Sequence, residues 1–376
     1  MNVTSVPCGL LSYPQPSLKT IPSPPTSRTR SPKLNPTSLP SPQHTPRTSC
    51  ILIHNDGAPS IPIPLPDTVP TTRTKLRLTD FELIQTIGKG SFGRVHLART
   101  LDGRVCAIKA MSKNHILQRR HVEHINNERS ILSSLRHPFL VKAWGTFQQG
   151  PFVFLVMDFI PGGELFRILR KEKVTLALEF LHQQHVIYRD LKPENILIDR
   201  HGNIKLTDFG FAKQVTDKTN TLCGTPDYLA PEMIRGQGYT KAIDWWALGV
   251  LIFEMLVGNA PFKDRCPIDQ YQKILDCEIC WPAGMSRSAR DLISHLLVTE
   301  PSRRYGPIEI KQHPWFPTGY VDGMLKEQTI PPPFVPHITY EMDTSCFAKY
   351  DELNMPYDQI KDPYYQPDHD TYFKDF

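Results

Sequence analysis

An α+β chain of two lobes, a small β-rich one followed by a larger and mainly helical one, is what three features of the sequence predict. Runs rich in β-branched and aromatic residues cluster between about residues 80 and 160, with one helical pattern among them. The breaker Pro161-Gly162-Gly163 ends that regime. Beyond it, apolar residues at helical spacing predominate, as over 243–256 and 288–297.

Before the first lobe, residues 1–76 are rich in Pro, Ser and Thr and hold few periodic apolar residues. Such a stretch cannot bury enough surface to offset its ordering entropy, so disorder is expected there. Ser23, Ser31, Ser41 and Thr45 each precede a proline, the form of proline-directed phosphorylation sites, although a solvated linker needs no such role. The net charge of +5 comes from this stretch, where eight Lys and Arg up to Arg77 face only Asp56 and Asp67. The remainder is close to neutral, which excludes a basic nucleic-acid-binding domain.

Order is expected from Thr79. Residues 81–84, 95–98 and 105–109 read as strands, the first two flanking a glycine loop. Val122, Ile125, Ile131 and Leu132 recur at helical spacing over 121–135. Strand-like runs at 140–147 and 152–159 complete a lobe with one helix. A domain over 77–317 follows, its lobes dividing near residue 160, with a tail over 318–376. No apolar run approaches the ~20 residues of a membrane helix, and neither a signal peptide nor a myristoylation glycine opens the chain. A cytoplasmic protein with access to the nucleus is expected, its eight cysteines reduced. Cys277 and Cys280 make a lone C-x-x-C, which lacks the partners of a metal site.

The chemistry-bearing residues come in a fixed order. Gly88-Lys89-Gly90-Ser91-Phe92-Gly93-Arg94-Val95 is a G-x-G-x-x-G-x-V loop, whose glycines let backbone N–H groups approach a phosphate chain. A dinucleotide fold would need a helix straight after the loop, and a strand follows instead. Lys109 lies on the third strand, able to reach phosphate oxygens, with Glu128 on the following helix as the partner that would hold it. The most specific stretch is Tyr188-Arg189-Asp190-Leu191-Lys192-Pro193-Glu194-Asn195. Asp190 suits the proton of an incoming hydroxyl, Lys192 the charge of a moving phosphoryl group, and Asn195 a Mg²⁺ ion. Asp208-Phe209-Gly210 supplies a carboxylate to bridge Mg²⁺ and phosphates, and Ala230-Pro231-Glu232 closes the series.

On these residues the chain resembles the eukaryotic protein kinases over about 80–317. The stretches Thr221-Leu222-Cys223-Gly224-Thr225-Pro226 and Asp244-Trp245-Trp246-Ala247-Leu248-Gly249 look like the AGC group. The tail, with Asp343-Thr344-Ser345 before Phe347 and Phe373-Lys374-Asp375-Phe376 at its end, is similar to the catalytic subunits of cyclic-AMP-dependent protein kinases, most of all fungal ones. The resemblance implies a two-lobed kinase fold, ATP and Mg²⁺ as cofactors, and transfer to Ser or Thr. It makes Met157 the gatekeeper, Asp158 to Ile160 the adenine hinge, and Phe347 the tail aromatic over adenine. Thr221 becomes an activation-loop phosphothreonine held by Arg189, Lys213 and His124. Glu232 with Arg304 becomes a supporting ion pair, and Asp244 the brace of the catalytic loop. Glu164, Glu194 and Glu254 would bind substrate arginines, assisted by Asp351, and Leu222, Pro226 and Leu229 would hold the apolar residue after the acceptor. Phe373 and Phe376 would dock beside the Glu128 helix. Protein substrates of the form Arg-Arg-x-Ser/Thr-hydrophobic and a cyclic-AMP-binding regulatory subunit are the implied partners. Asn220 stands where the family often has an aromatic that touches that subunit.

One departure is large. Between Glu164 and Leu181 the resemblance implies about a dozen further residues, and near Lys173 they are missing. Twelve residues of helix are about 18 Å of rise, and their loss is expected to expose large-lobe core, against a total stability of about 5–15 kcal/mol. Three readings therefore stand: a cyclic-AMP-pathway kinase, another basophilic AGC kinase, or an impaired kinase-like binding protein.

Overall fold

The computed structural model describes residues 75–90, 93–164, 171–316, 332 and 334–376. The proline-rich stretch up to residue 74, and with it the expected disorder and the four Ser/Thr-Pro steps, lies outside the described residues, as do Ser91 and Phe92.

The small lobe is a five-stranded antiparallel sheet in the order β1-β2-β3-β5-β4. Its strands are β1 (Phe81–Gly90), β2 (Gly93–Thr100), β3 (Val105–Ser112), β4 (Ala143–Gln149) and β5 (Phe152–Met157), with α1 (Lys113–Gln118) and α2 (Val122–Ser134) between β3 and β4. The sheet buries both faces. Leu97, Ala107, Met111 and Leu155 join the cluster that continues into the large lobe. Ala98, Cys106, Ile108, Phe154 and Val156 alternate onto the other face, where Tyr357 of the tail covers them.

Two expectations for this lobe are corrected. It holds two helices rather than one, because α1 is only six residues long and too short to show a period; Ser112 caps it by accepting from His115 N at 3.3 Å. The run over 140–147 is not one strand. Residues 139–141 pair across to the large lobe, Val141 N donating to Leu206 O at 2.9 Å, and β4 begins only at Ala143. That apolar run serves both lobes, so alternation alone cannot divide it.

The large lobe begins with α3 (Lys171–Gln183) and β6 (Val186–Ile187), then β7 (Ile196–Ile198), β8 (Ile204–Leu206) and β9 (Lys213–Gln214). Next come α4 (Pro231–Ile234), α5 (Ala242–Val257), α6 (Pro267–Asp276), α7 (Arg287–Leu296) and α8 (Pro307–Gln312). β6 pairs with β9 and β7 with β8, so that the segments from 188 to 195 and from 207 to 212 are held at the sheet ends. α5 is the axis of the lobe, buried without a break from Ile243 to Phe253, as a helix apolar all round must be.

The short segment near Lys173 still forms a helix. Val174, Leu176, Ala177, Leu178 and Leu181 of α3 are fully enclosed, and the buried Lys173 ammonium donates to Asn203 Oδ1 and lies 5.7 Å from the Phe139 ring. The exposed apolar surface of α5 is confined to its last turn, where Leu256 and Val257 line an open cavity of about 530 Å³ with Met285, Ala289 and Trp315.

Candidate active site

The glycine loop is the turn between β1 and β2, closed by the pair Gly90↔Gly93. A Cβ on Gly93 would collide with the Ala110 carbonyl, so the fold itself demands that glycine. Gly90 is different: among the described residues no atom lies within 4 Å of a Cβ built there. Nothing in the protein requires a glycine at that point, which leaves room for a ligand to approach the backbone.

Beneath the loop, Val95 pairs with Lys109 across β2 and β3. Lys109 Nζ donates to both oxygens of Glu128 at 2.8 and 3.0 Å and to Asp208 Oδ1 at 3.3 Å. Burial acts to neutralise this ammonium, but Asp208 and Glu128 outweigh it and hold its pKa above the usual lysine value. Asp208 is depressed, chiefly by Lys109, and its half-exposed carboxylate faces the cleft in a left-handed backbone conformation at φ 54°.

The catalytic loop sits opposite. Asn195 Nδ2 donates to the Asp190 carbonyl and to its Oδ2, both at 2.8 Å. With its nitrogen committed, Asn195 has Oδ1 left to offer a cation. Lys192 Nζ lies 2.8 Å from the same Oδ2, while the Thr225 hydroxyl donates to Asp190 Oδ1 at 3.0 Å. Burial raises the Asp190 pKa despite these donors. The loop turns through Arg189 at φ 67°, a left-handed conformation that a bulky side chain resists. Asp244 of α5 holds it there, accepting from Tyr188 N and Arg189 N at 2.9 Å each and pairing with His182 Nε2 at 2.7 Å.

At the hinge, Met157 and Ile160 are buried. The Asp158 side chain turns away to accept from Trp144 Nε1 at 2.7 Å, leaving only its backbone for a base. Phe347 stacks on Phe159 at 5.7 Å, which brings the tail to the hinge. Glu164 has a raised pKa from burial and from the neighbouring Glu194, so two of the three proposed arginine acceptors stand together. The third, Glu254, accepts from the Tyr228 hydroxyl. Leu222 and Pro226 are exposed, whereas Leu229 is buried. Asp351 is exposed, and its carbonyl rather than its carboxylate is engaged, by Arg94.

Thr221 is exposed, with its carbonyl fixed by Tyr239 Oη at 2.5 Å. The three side chains proposed for a phosphate there are neighbours: the His124 pKa is lowered by burial and by the charges of His121, Arg189 and Lys213. Lys213 lies 3.9 Å from Glu123. At the end of the tail Phe373 is fully buried with Phe376 at 6.1 Å, and Asn126 of α2 donates to Tyr372 O at 3.1 Å. Glu232 and Arg304 form a two-pronged buried pair at 2.8 and 3.1 Å.

Sequence reasoning missed Thr225, which joins Lys192 to Asp190, and His182, which completes the Asp244 brace. Thr225 lay inside a stretch noted only for resemblance. It also missed the tail contacts of Thr86 with Glu352 and of His96 with Tyr357, which no local pattern marks.

The cleft thus sets a lysine shared by two acids under a glycine loop, with an Asp-Lys-Asn loop opposite. The family described as protein kinase domain matches residues 81–316, and the chain belongs to it. Its relatives narrow the class. The chain is 46% identical to "cAMP-dependent protein kinase type 3" of Saccharomyces cerevisiae over 314 residues, 78% of this chain and 79% of that one. It is 42% identical to "cAMP-dependent protein kinase catalytic subunit PRKX" of Mus musculus, over 80% of this chain and 91% of that one. With "cAMP-dependent protein kinase catalytic subunit" of Dictyostelium discoideum the identity is 44%, over 82% and 50%.

Proposed function

We propose that this serine/threonine protein kinase moves the γ-phosphoryl of ATP, with Mg²⁺, onto Ser or Thr in Arg-Arg-x-Ser/Thr-hydrophobic segments, and that it works in cyclic-AMP signalling under a cyclic-AMP-binding regulatory subunit. The observation that carries the reading is the Lys109–Glu128–Asp208 junction with Asp190 and Asn195 across the same cleft. Gly88 to Val95 and Lys109 would hold the triphosphate, the backbone of Asp158 to Ile160 and the Phe347 ring the adenine, and Asn195 Oδ1 and Asp208 the metal. Bound Mg²⁺ neutralises phosphate charge and holds the γ-phosphoryl in line.

The residues supply the rest. Asp190 orients the acceptor hydroxyl and takes its proton as the hydroxyl oxygen bonds to the γ-phosphorus and the bond to the β-phosphate oxygen breaks, leaving ADP. Lys192 swings from Asp190 toward the charge that develops. Thr225 keeps Asp190 in place. Because burial raises the Asp190 pKa, turnover should fall on the acid side at a pH above the ordinary aspartate range of ~3.9. Glu164, Glu194 and Glu254 give the preference for arginine. Among the described residues no helix is long and apolar enough to cross a membrane.

Purified chain mixed with Mg-ATP and an Arg-Arg-x-Ser peptide tests this directly: phosphopeptide forms, and cyclic AMP restores the rate after a regulatory subunit suppresses it. Phosphorylation that the subunit leaves untouched would favour another basophilic AGC kinase. The shortened segment near Lys173 keeps open a second reading, an impaired kinase-like binder. Mg-ATP binding without phosphopeptide is its signature.

A further inference from the structure

The stretch between α4 and α5 grips two loops that meet beside Asp190. Tyr239 pairs with Thr219 of the activation loop, each backbone N–H donating to the other's carbonyl at 3.0 and 3.1 Å. Its side chain is buried, and its hydroxyl donates to the Thr221 carbonyl at 2.5 Å while accepting from Arg189 Nη1 at 3.0 Å. Arg189 Nε reaches on to the Phe211 carbonyl at 2.6 Å. The activation loop also lies directly on the catalytic loop. A Cβ on Gly224 would stand 2.7 Å from the Arg189 carbonyl, and the φ of 103° there suits only glycine. One hydroxyl thus joins the activation loop, the catalytic loop and, through Arg189, the segment that follows Asp208.

The direction of these bonds is fixed. A guanidinium only donates and a carbonyl only accepts, so the single hydroxyl proton of Tyr239 goes to Thr221. Burial pushes the Tyr239 pKa up to about 12, which keeps that proton in place at any working pH. Arg189 is itself buried, and its side-chain bonds to Phe211 and Tyr239 end on uncharged oxygens. Bonds from a charged donor are stronger than neutral ones, and a buried guanidinium that loses one is left short of a partner. The link to Thr221 runs through its backbone, while its side chain stays exposed. It therefore exists without a phosphate, and the remaining guanidinium N–H groups are left for one.

We propose that Tyr239 is a positioning residue that couples the activation loop to Asp190 through Arg189, and so gives the chain part of its phosphotransfer activity before Thr221 is phosphorylated. A Thr221 phosphate then adds a second tether to the same arginine. Asp244 inside α5 holds the Arg189 backbone, and Tyr239, three residues before α5, holds the side chain. The proposal rests on the reading of the cleft as a protein-kinase site with Asp190 at its centre.

The test uses the full-length chain and the variants Tyr239→Phe, Thr221→Ala and the two combined, with phosphate on Thr221 counted by mass spectrometry. Thr221→Ala should still phosphorylate an Arg-Arg-x-Ser peptide. Adding Tyr239→Phe should lower its kcat by about tenfold or more, with Mg-ATP affinity within about twofold. In the Thr221-phosphorylated chain the same change should cost about threefold or less. Hydrogen exchange over residues 217–225 should speed up with Tyr239→Phe in the Thr221→Ala background. No transfer by Thr221→Ala from an active parent, or a kcat that Tyr239→Phe leaves unmoved there, overturns the proposal. Equal losses in the two backgrounds also overturn it, by making the hydroxyl part of the general scaffold. Should the wild-type chain transfer no phosphate, the kinase reading falls, and exchange over 217–225 in the same variants then upholds or overturns the coupling.

Discussion

Two buried ion pairs share their chemistry and differ in everything around it. Arg304 in the large lobe has every donor engaged: two bonds to Glu232, two to the Val298 carbonyl, one to the Ala242 carbonyl, with its plane 5.2 Å from the Trp246 ring. Lys109 in the cleft is divided between Glu128, which is enclosed, and Asp208, which is half open to the cleft. A closed pair has nothing to offer a ligand and can only hold the fold together. A shared pair whose outer member faces open space is poised to exchange that member for phosphate and metal. Completeness of the hydrogen-bonding shell, rather than charge, separates structure from function here.

The contrast can be broken at several points. Asp208→Asn should lower phosphotransfer by about 10³-fold or more, since it removes charge where charge is most needed. Because that side chain is half-exposed, the melting temperature should barely move, which thermal denaturation checks. Glu232→Gln should do the reverse, leaving the Arg304 cation enclosed and unpaired at a cost of about 3–5 kcal/mol. A melting temperature lower by roughly 10 °C would register it, and a small shift would mean that the closed pair matters less than its geometry suggests.

His96 sharpens the comparison by acid titration. It is neutral when folded, with a pKa of about 4 against 6.5 for a free histidine. Between those values the unfolded chain binds a proton that the folded chain does not, so stability rises with pH through that window and is lost as pH falls. The contribution is about 3 kcal/mol, read as the slope of urea midpoints between pH 4 and 6.5 and flattened in His96→Leu. The smallest effect belongs to recognition. Glu164→Gln should raise the KM for Arg-Arg peptides by about 10- to 100-fold with kcat little changed, and a uniform loss of both would place Glu164 in the scaffold instead.

The proposed catalytic residues were legible as a pattern because phosphate chemistry restricts residue types at short spacings: Asp190 to Asn195 span one short loop, and Gly88 to Gly93 another. The strands and α5 were legible from period and length. What escaped was set by partners distant in sequence. His96 meets Tyr357 261 residues later, and Thr86 meets Glu352 across 266, and neither pair has any local pattern. Residues 140 and 141 were assigned to a strand of the small lobe because their apolar run does not reveal that it serves β8 in the other lobe. α1 escaped through brevity. The shortened segment before Leu181 was legible as a departure, but its accommodation was not, since the burial of Lys173 against Asn203 and Phe139 arises only once α3 packs.

The most direct measurement is a comparison of labelled-phosphate transfer from Mg-ATP to an Arg-Arg-x-Ser peptide by the wild-type chain and by Asp190→Asn. Wild-type transfer that Asp190→Asn lowers by at least about 10²-fold, with ATP still bound, is the expected result. Equal rates in the two proteins, or no transfer by a wild-type chain that is folded, would contradict the cleft as the place where the reaction occurs.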